Sequence, residues 1–249
     1  LRGGAGDDQL DGGLGDDSLY GGADQDTLKG SYGDDYLEGG LGNDILEGGA
    51  GVDTISYESA LNAVDVQLNT GVATGEGIDS ILDVENVVGS GFDDSITGND
   101  EDNIFHAGDG DDVLLGDIGS DTLYGQNDAD TISGGRGNDY IYGGDGSVDT
   151  STQDMASYLD VTSGVGITAD MTKDNTIGNA KVSNDGYNTV DYLFEIENIQ
   201  GSNYKDYITG DGSANYLLGE AGADTLYGGD GDDTLDGGTQ ADTLRGEVG

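Results

Sequence analysis

The chain has no cysteine, no proline and no tryptophan, one histidine, and seven basic residues among 249. Without cysteine no disulfide can form, so outside a cell something else must stabilise the fold. No apolar run reaches the roughly 18 residues that a membrane-crossing helix needs, and no such span is expected. Lys and Arg are scarce against 52 acidic residues, and the net charge is −45. Nucleic acid and anionic membrane would be repelled and are set aside as direct partners. An initiator Met and a signal-peptide pattern are also missing at Leu1-Arg2, so the chain reads as an excerpt of a longer protein.

What is abundant is glycine, 49 residues, and aspartate. An acidic, glycine-rich chain can be a disordered, solvating segment. It can also be a set of carboxylates awaiting cations. The order of the residues decides between the two.

A nine-residue phrase recurs in three arrays. Array A starts phrases at Gly3, Gly12, Gly21, Gly30, Gly39 and Gly48. Array B starts them at Gly89, Gly98, Ala107, Gly116, Gly125, Gly134 and Gly143, where an extra residue enters. Array C starts them at Gly201, Gly210, Gly219, Gly228 and Gly237. The sixth position holds Asp8, Asp17, Asp26, Asp35, Asp44 and Asp53, then Asp94, Asn103, Asp112, Asp121, Asp130 and Asp139, then Asp206, Asn215, Asp224, Asp233 and Asp242. That is Asp at 15 of 17 regular phrases. The eighth position is apolar in all of them, from Leu10 and Leu19 to Leu235 and Leu244. A disordered tail has no reason to keep that register, and the disordered reading fails.

Three residues around each apolar position suit a short strand with its middle side chain inward. Flanks such as Thr27, Tyr36, Ile45 and Thr122 favour strands. The preceding six residues must turn tightly, and glycine permits positive φ there. Asp24 and Asp128 stand at the fourth position, where Asp tolerates the left-handed backbone.

The phrase, G-G-x-G-x-D-x-U-x with U large and apolar, resembles the nonapeptide of RTX (repeats-in-toxin) proteins. The resemblance covers roughly two thirds of the chain. It implies an all-β fold, a parallel β-roll, that is, a right-handed calcium-bound β-solenoid in which two phrases complete one coil. It implies Ca²⁺ sites shared by phrases n and n+2. Their ligands would be Asp8, Asp17, Asp26, Asp35, Asp44, Asp53, Asp94, Asp112, Asp121, Asp130, Asp139, Asp206, Asp224, Asp233 and Asp242. Carbonyls such as those of Gly4, Gly6, Gly13, Gly15, Gly40, Gly42, Gly135, Gly137, Gly229 and Gly231 would complete them. Asp17 would neighbour Asp35, and Asp26 would neighbour Asp8 and Asp44. Pairing in this way gives roughly a dozen Ca²⁺, which prefers six to eight hard oxygens.

Asn103 and Asn215 depart from the pattern and carry no charge. Turns near them lack the fourth-position glycine, at Phe92, Glu101, Tyr204 and Ser213. Poor metal sites are expected where each array restarts. Without metal the stacked carboxylates repel, so Ca²⁺ is expected to drive folding. Affinities of about 10⁻⁴–10⁻³ M suit extracellular modules. The resemblance further implies type I secretion from a Gram-negative bacterium.

Two inserts interrupt the arrays, giving array A at 1–56, insert 57–88, array B at 89–151, insert 152–200 and array C at 201–249. Both inserts open on Ser-Tyr (Ser56-Tyr57, Ser157-Tyr158) and close on Glu-Asn (Glu85-Asn86, Glu197-Asn198). Both carry alternating apolar residues: Val64, Val66, Leu68, and Val165, Ile167, Ala169, Met171. Alternation argues for two or three longer strands that continue the roll. The polar stretch Thr172–Asn184 reads as a loop. Glu85 and Glu197 could bind backbone or metal.

No catalytic grouping emerges. His106 sits at an outward ninth position and reads as a surface residue. Carboxylate pairs such as Asp16-Asp17 could imitate a glycosidase pair, but their periodicity fits cations and solvation. Tyr20 and Tyr36, and Tyr124, Tyr140 and Tyr142, should share outer faces. They suit cross-strand stacking, or contact with polysaccharide or a neighbouring copy. The chain reads as a non-catalytic, extracellular, Ca²⁺-binding structural segment of a large adhesin, surface-layer or matrix protein. The alternative is an accessory module of a secreted protease, lipase, alginate epimerase or haemolysin.

Overall fold

A computed structural model describes residues 1–144, 153–172 and 180–247. Among the described residues every regular element is a strand and there is no helix. The chain divides into two compact units, Leu1–Leu114 and Leu115–Gly249.

In the first unit, Arg2 pairs with Tyr20, Ser18 with Tyr36, and Tyr36 with Thr54 in one parallel sheet. Gln9 pairs with Thr27, and Thr27 with Ile45, in another. Each step is 18 residues, so successive phrases alternate between sheets and two phrases close one coil. The second unit repeats this arrangement: Thr122 pairs with Tyr140, Tyr207 with Thr225, and Tyr216 with Thr234. Each unit is a parallel β-roll, as the phrase implied.

The eighth-position side chains form the core. Leu19, Leu28, Leu37 and Ile55 are fully buried in the first unit, as are Leu123, Ile132, Ile141, Ile208, Leu217 and Leu226 in the second. Each such burial contributes about 1.5–3 kcal/mol relative to exposure. Array A departs from the expected three-residue strands. Ser18–Ala23, Thr27–Tyr32 and Tyr36–Leu41 run six residues each. They continue into the glycine turn because the glycine backbones pair between coils, as Gly22 does with Gly40. Gly22 has φ 118°, and a Cβ there would collide with the Gly4 carbonyl. Asp24 and Asp128 adopt φ 77° and 72° in the same turns.

The inserts join the sheets as antiparallel meanders of short strands. In the first unit these are Asp65–Gln67, Val72–Thr74 and Ile78–Leu82. Ile78–Leu82 lies parallel to Ile45–Ala50, and Asp65–Gln67 lies parallel to Ser95–Thr97. Val72–Thr74 runs antiparallel between them. In the second unit Thr168–Asp170, Ala180–Asn184 and Asp191–Phe194 repeat this plan, flanked by Tyr207–Thr209 and Tyr140–Tyr142. Opposite each meander the other sheet continues uninterrupted, with Thr54 pairing to Asn86 and Met155 pairing to Asn198.

Two expectations are corrected. The insert strands are short, three to five residues. Ala180–Asn184 is a strand and not part of a loop, because Ala180 and Val182 alternate into the core and are fully buried. Residues 173–179 of that stretch lie outside the described residues. Val165 is exposed, so the buried alternation starts at Ile167.

Candidate metal centre

Each sixth-position residue stands directly before a strand, two residues before the apolar eighth position. Coil stacking therefore sets these residues one above another. In the first unit the Asp8 N–H donates to Asp26 Oδ1 (2.8 Å) and Asp26 N–H to Asp44 (2.8 Å). On the other side Asp17 donates to Asp35 (2.7 Å) and Asp35 to Asp53 (2.8 Å). Asp94 donates to Asp112 (2.7 Å). In the second unit Asp121 donates to Asp139 (2.8 Å), Asp206 to Asp224 (2.8 Å), Asp224 to Asp242 (3.0 Å), and Asn215 to Asp233 (3.0 Å). One carboxylate oxygen of each rung is thus anchored by the backbone of the coil before it.

The second oxygen is different. Oδ2 of Asp8, Asp26, Asp35, Asp44, Asp53, Asp139, Asp224 and Asp233 is buried without a hydrogen-bond partner. It turns back over the first glycine of its own phrase. A Cβ on Gly21 would stand 2.5 Å from Asp26 Oδ2 and 2.6 Å from the Gly39 carbonyl of the next coil. Gly12 meets Asp17 Oδ2 and the Gly30 carbonyl, and Gly219 meets Asp224 Oδ2 and the Gly237 carbonyl, all within 3.0 Å. Two acceptors converge with no donor between them, in a space that any side chain at the first glycine would fill. A hard cation matches that donor set.

At Gly3, Gly21 and Gly30 the point shared with Oδ2 is also met by the first-glycine carbonyl of the next coil. Sequence reasoning had named second- and fourth-position glycines. Of those, the carbonyls of Gly4, Gly15 and Gly42 point instead at Gly22, Gly33 and Gly77 of the following coil. Among the described residues no three His, Asp or Glu side chains converge on one point. Main-chain oxygens would therefore supply most ligands.

Burial pushes the carboxylates up. Asp44, Asp53, Asp139 and Asp224 rise to about 6, and Asp112 to about 8. Burial is the main cause, and like charges add to it: Asp79 and Asp26 act on Asp44, and Asp35 and Glu85 act on Asp53. Negative charge is thus held at a cost that a bound cation would relieve.

The array restarts are built otherwise. Both oxygens of Asp94 accept from Ser90, through its N–H and its hydroxyl, and both oxygens of Asp206 accept from Ser202. At the next phrase, Asn103 Nδ2 donates to the Glu85 carbonyl (2.7 Å), and Asn215 Nδ2 donates to the Glu197 carbonyl (2.7 Å). Their side-chain oxygens are already occupied, Asn103 Oδ1 accepting from Asn99 N–H and Asn215 Oδ1 from Asp211 N–H.

The ladder also includes residues outside the phrase. Asp44 N–H donates to Asp79 (3.0 Å), Asp130 to Asp154 (2.9 Å) and Asp139 to Asp191 (3.2 Å). The Tyr57 hydroxyl donates to the other oxygen of Asp79 (3.0 Å). Tyr158 faces Asp191, and burial, then the Asp191 charge, raises its hydroxyl. Glu85 accepts from the Asp53 N–H (2.8 Å) and Glu197 from the Asp154 N–H (3.1 Å). One oxygen of each carboxylate, Oε2, therefore binds backbone. A legible signal existed: Asp79-Ser80-Ile81, Asp191-Tyr192-Leu193 and Glu85-Asn86-Val87 repeat the acid-x-apolar end of the phrase without its glycines.

The tyrosines stack along the sheets. Tyr124 and Tyr142 lie 4.6 Å apart, Tyr142 and Phe194 4.1 Å, Tyr140 and Tyr192 5.2 Å, and Tyr20 and Tyr36 6.1 Å. His106 is exposed.

The family model of the RTX calcium-binding nonapeptide repeat matches residues 1–28, 20–55, 88–123, 115–147, 195–226, 209–244 and 227–249, about two thirds of the chain. No curated protein matches the chain.

Proposed function

Because the chain belongs to the RTX calcium-binding nonapeptide repeat family, we propose that it is a Ca²⁺-dependent structural segment that folds outside the cell. The observation that carries this is the row of buried Oδ2 atoms over the first glycines, with a glycine carbonyl of the next coil beside them at Gly3, Gly21, Gly30 and Gly219. Asp8, Asp17, Asp26, Asp35, Asp44, Asp53, Asp121, Asp130, Asp139, Asp224, Asp233 and Asp242 would hold the ions, with first-glycine carbonyls, while Asp112, whose phrase opens on Ala107, would contribute less. Asp94 and Asp206, already satisfied by serines, would contribute less. Bound Ca²⁺ supplies positive charge between coils that otherwise stack carboxylate on carboxylate. The backbone ladder orients each Asp so that Oδ2 faces the cradle. About a dozen ions would offset about half of the negative charge.

Affinity of about 10⁻⁴–10⁻³ M would keep the chain unfolded inside a cell and folded outside. Such a chain suits export unfolded, as in type I secretion. The same insert topology in both units supports a modular extension, a segment of an adhesin, surface-layer or matrix protein. The stacked tyrosines are its proposed contact face for polysaccharide or another copy. A catalytic or pore-forming neighbour in the flanking sequence would instead make it an accessory module of a secreted enzyme or toxin. No catalytic step is assigned to the segment itself.

Circular dichroism with chelator and with added calcium tests the proposal. At about pH 8, where most of the raised carboxylates are ionised, a strand spectrum that appears only with calcium is expected. A full strand spectrum in chelator at that pH would overturn it.

A further inference from the structure

The nonapeptide pattern ends before each insert, yet the geometry of its cradle does not. Asp53 is the last sixth-position residue of array A and is fully buried. Its Oδ1 accepts from Asp35 N–H, and its Oδ2 has no hydrogen-bond partner. That Oδ2 lies over Gly48, within 3.0 Å of the point where a Cβ would stand. In an ordinary rung such as those at Gly21 and Gly30, the carbonyl meeting it there is that of the first glycine one coil, two phrases, on. Here no such phrase follows. The Asp83 carbonyl takes the place, also within 3.0 Å of the same point. Asp83 reaches it by adopting the left-handed backbone, with φ 51°. Two residues on, Glu85 does what the next aspartate would do and accepts the Asp53 N–H. The site opens on a cleft walled by Gly49, Asn99, Asp100 and Glu101.

The second insert builds the same arrangement from different residues. Asp154 is fully buried, its Oδ2 lies over Gly143, and the Glu195 carbonyl meets the same point. Glu195 is left-handed, with φ 54°, and Glu197 accepts the Asp154 N–H. Neither Asp83 nor Glu85 belongs to a matched repeat, and neither does Asp154.

We propose that each insert completes a divalent-cation site with the phrase before it: Asp53, the Asp83 carbonyl and Glu85 in one unit, and Asp154, the Glu195 carbonyl and Glu197 in the other. The ligands are hard oxygens, two of them carboxylates, and the ion is calcium. The inference rests on the calcium reading of the arrays and extends it to residues that no nine-residue register identifies. Metal therefore fastens insert to array, and the insert orders together with the array before it.

The test uses the whole 249-residue chain, crystallised in calcium, with anomalous difference maps. Peaks are expected along the arrays and at both junctions. In solution, equilibrium dialysis of Glu85→Gln/Glu197→Gln should show two ions bound at least about tenfold more weakly, with the remaining ions unchanged. Gln keeps an oxygen for the Asp53 and Asp154 N–H groups and removes only charge. Array peaks with none at the junctions would overturn the inference and leave the array reading intact. So would a double variant that binds every ion as the parent does. A folded chain with no peak anywhere would overturn both readings.

Discussion

Replacing Asp35 by Asn should stabilise the fold in chelator and reduce what calcium adds to it. Asp35 is buried; its Oδ1 accepts from Asp17 N–H, and its Oδ2 faces the Gly48 carbonyl across Gly30 without a hydrogen-bond partner. Asn keeps the first interaction. Its Nδ2 can donate to the Gly48 carbonyl, which stands beside the same point over Gly30. In chelator the variant therefore gains a hydrogen bond, worth about 1 kcal/mol, and loses a bare buried oxygen whose cost is about 1–3 kcal/mol. In about 10 mM calcium, an ion with Kd of about 10⁻⁴–10⁻³ M stabilises the fold by about 1.4–2.7 kcal/mol. Losing one ion forfeits that amount, so the variant's advantage shrinks as calcium is added. Two assays read the two effects: the trimethylamine N-oxide concentration that folds the chain in chelator should fall, because that osmolyte favours compact states, and the slope of urea stability against the logarithm of calcium concentration should be smaller by one ion's share. Destabilisation in chelator, or an unchanged calcium slope, would refute the cation-cradle argument.

In chelator, pH should act through the raised carboxylates. Asp44, Asp53, Asp139 and Asp224 move from 3.8 to about 6, Asp112 from 3.8 to about 8, and Glu197 from 4.5 to about 8. Folded carboxylates thus hold protons more tightly than unfolded ones, so the metal-free fold is most stable below the unfolded values and loses that stability as pH rises through about 6 to 8. A circular-dichroism pH series in chelator should show strand signal at about pH 4 that fades by about pH 8; a signal that grows with pH would contradict this. Gly125→Ala puts a Cβ well within 3.0 Å of Asp130 Oδ2, whereas a Cβ on Gly212 meets nothing. The first should cost about 1–3 kcal/mol and raise the calcium midpoint, and Gly212→Ala should leave it within error; equal effects would count against the cradle. Tyr57→Phe removes the hydroxyl bonded to Asp79. It should lower urea stability in calcium by about 1.5–3 kcal/mol, and an unchanged midpoint would show that the bond contributes nothing.

The register of nine made most of the roll legible, because one apolar side chain per phrase has a single way to be buried in a stacked coil. Leu19, Leu37 and Ile55 sit where that argument puts them. The neighbourhood of Asp17 and Asp35 followed from the same counting. Asp79, Asp154, Asp191, Glu85 and Glu197 escaped it. Their rungs lack the glycine turn that makes the repeat visible, and the distances between partners become 35, 24, 52, 32 and 43 residues instead of 18. Ala180–Asn184 escaped because its alternation is short and its outward residues, Lys181 and Ser183, are polar. The serine clips on Asp94 and Asp206 depend on where a hydroxyl rotates, which spacing does not encode.

Each meander contains an odd number of strands, and this has a consequence for how such a chain can change. Three antiparallel passes return the backbone travelling as it entered, so Ser95–Thr97 resumes the direction of Ile45–Ala50. One pass more or fewer would deliver the next phrase upside down, with its amide groups facing the wrong carbonyls. The insert is therefore indifferent to length and strict about parity. Foreign sequence spliced between Gln67 and Val72 leaves the direction of travel untouched, while deletion of Val72–Thr74 alone would derail every rung that follows it within the unit.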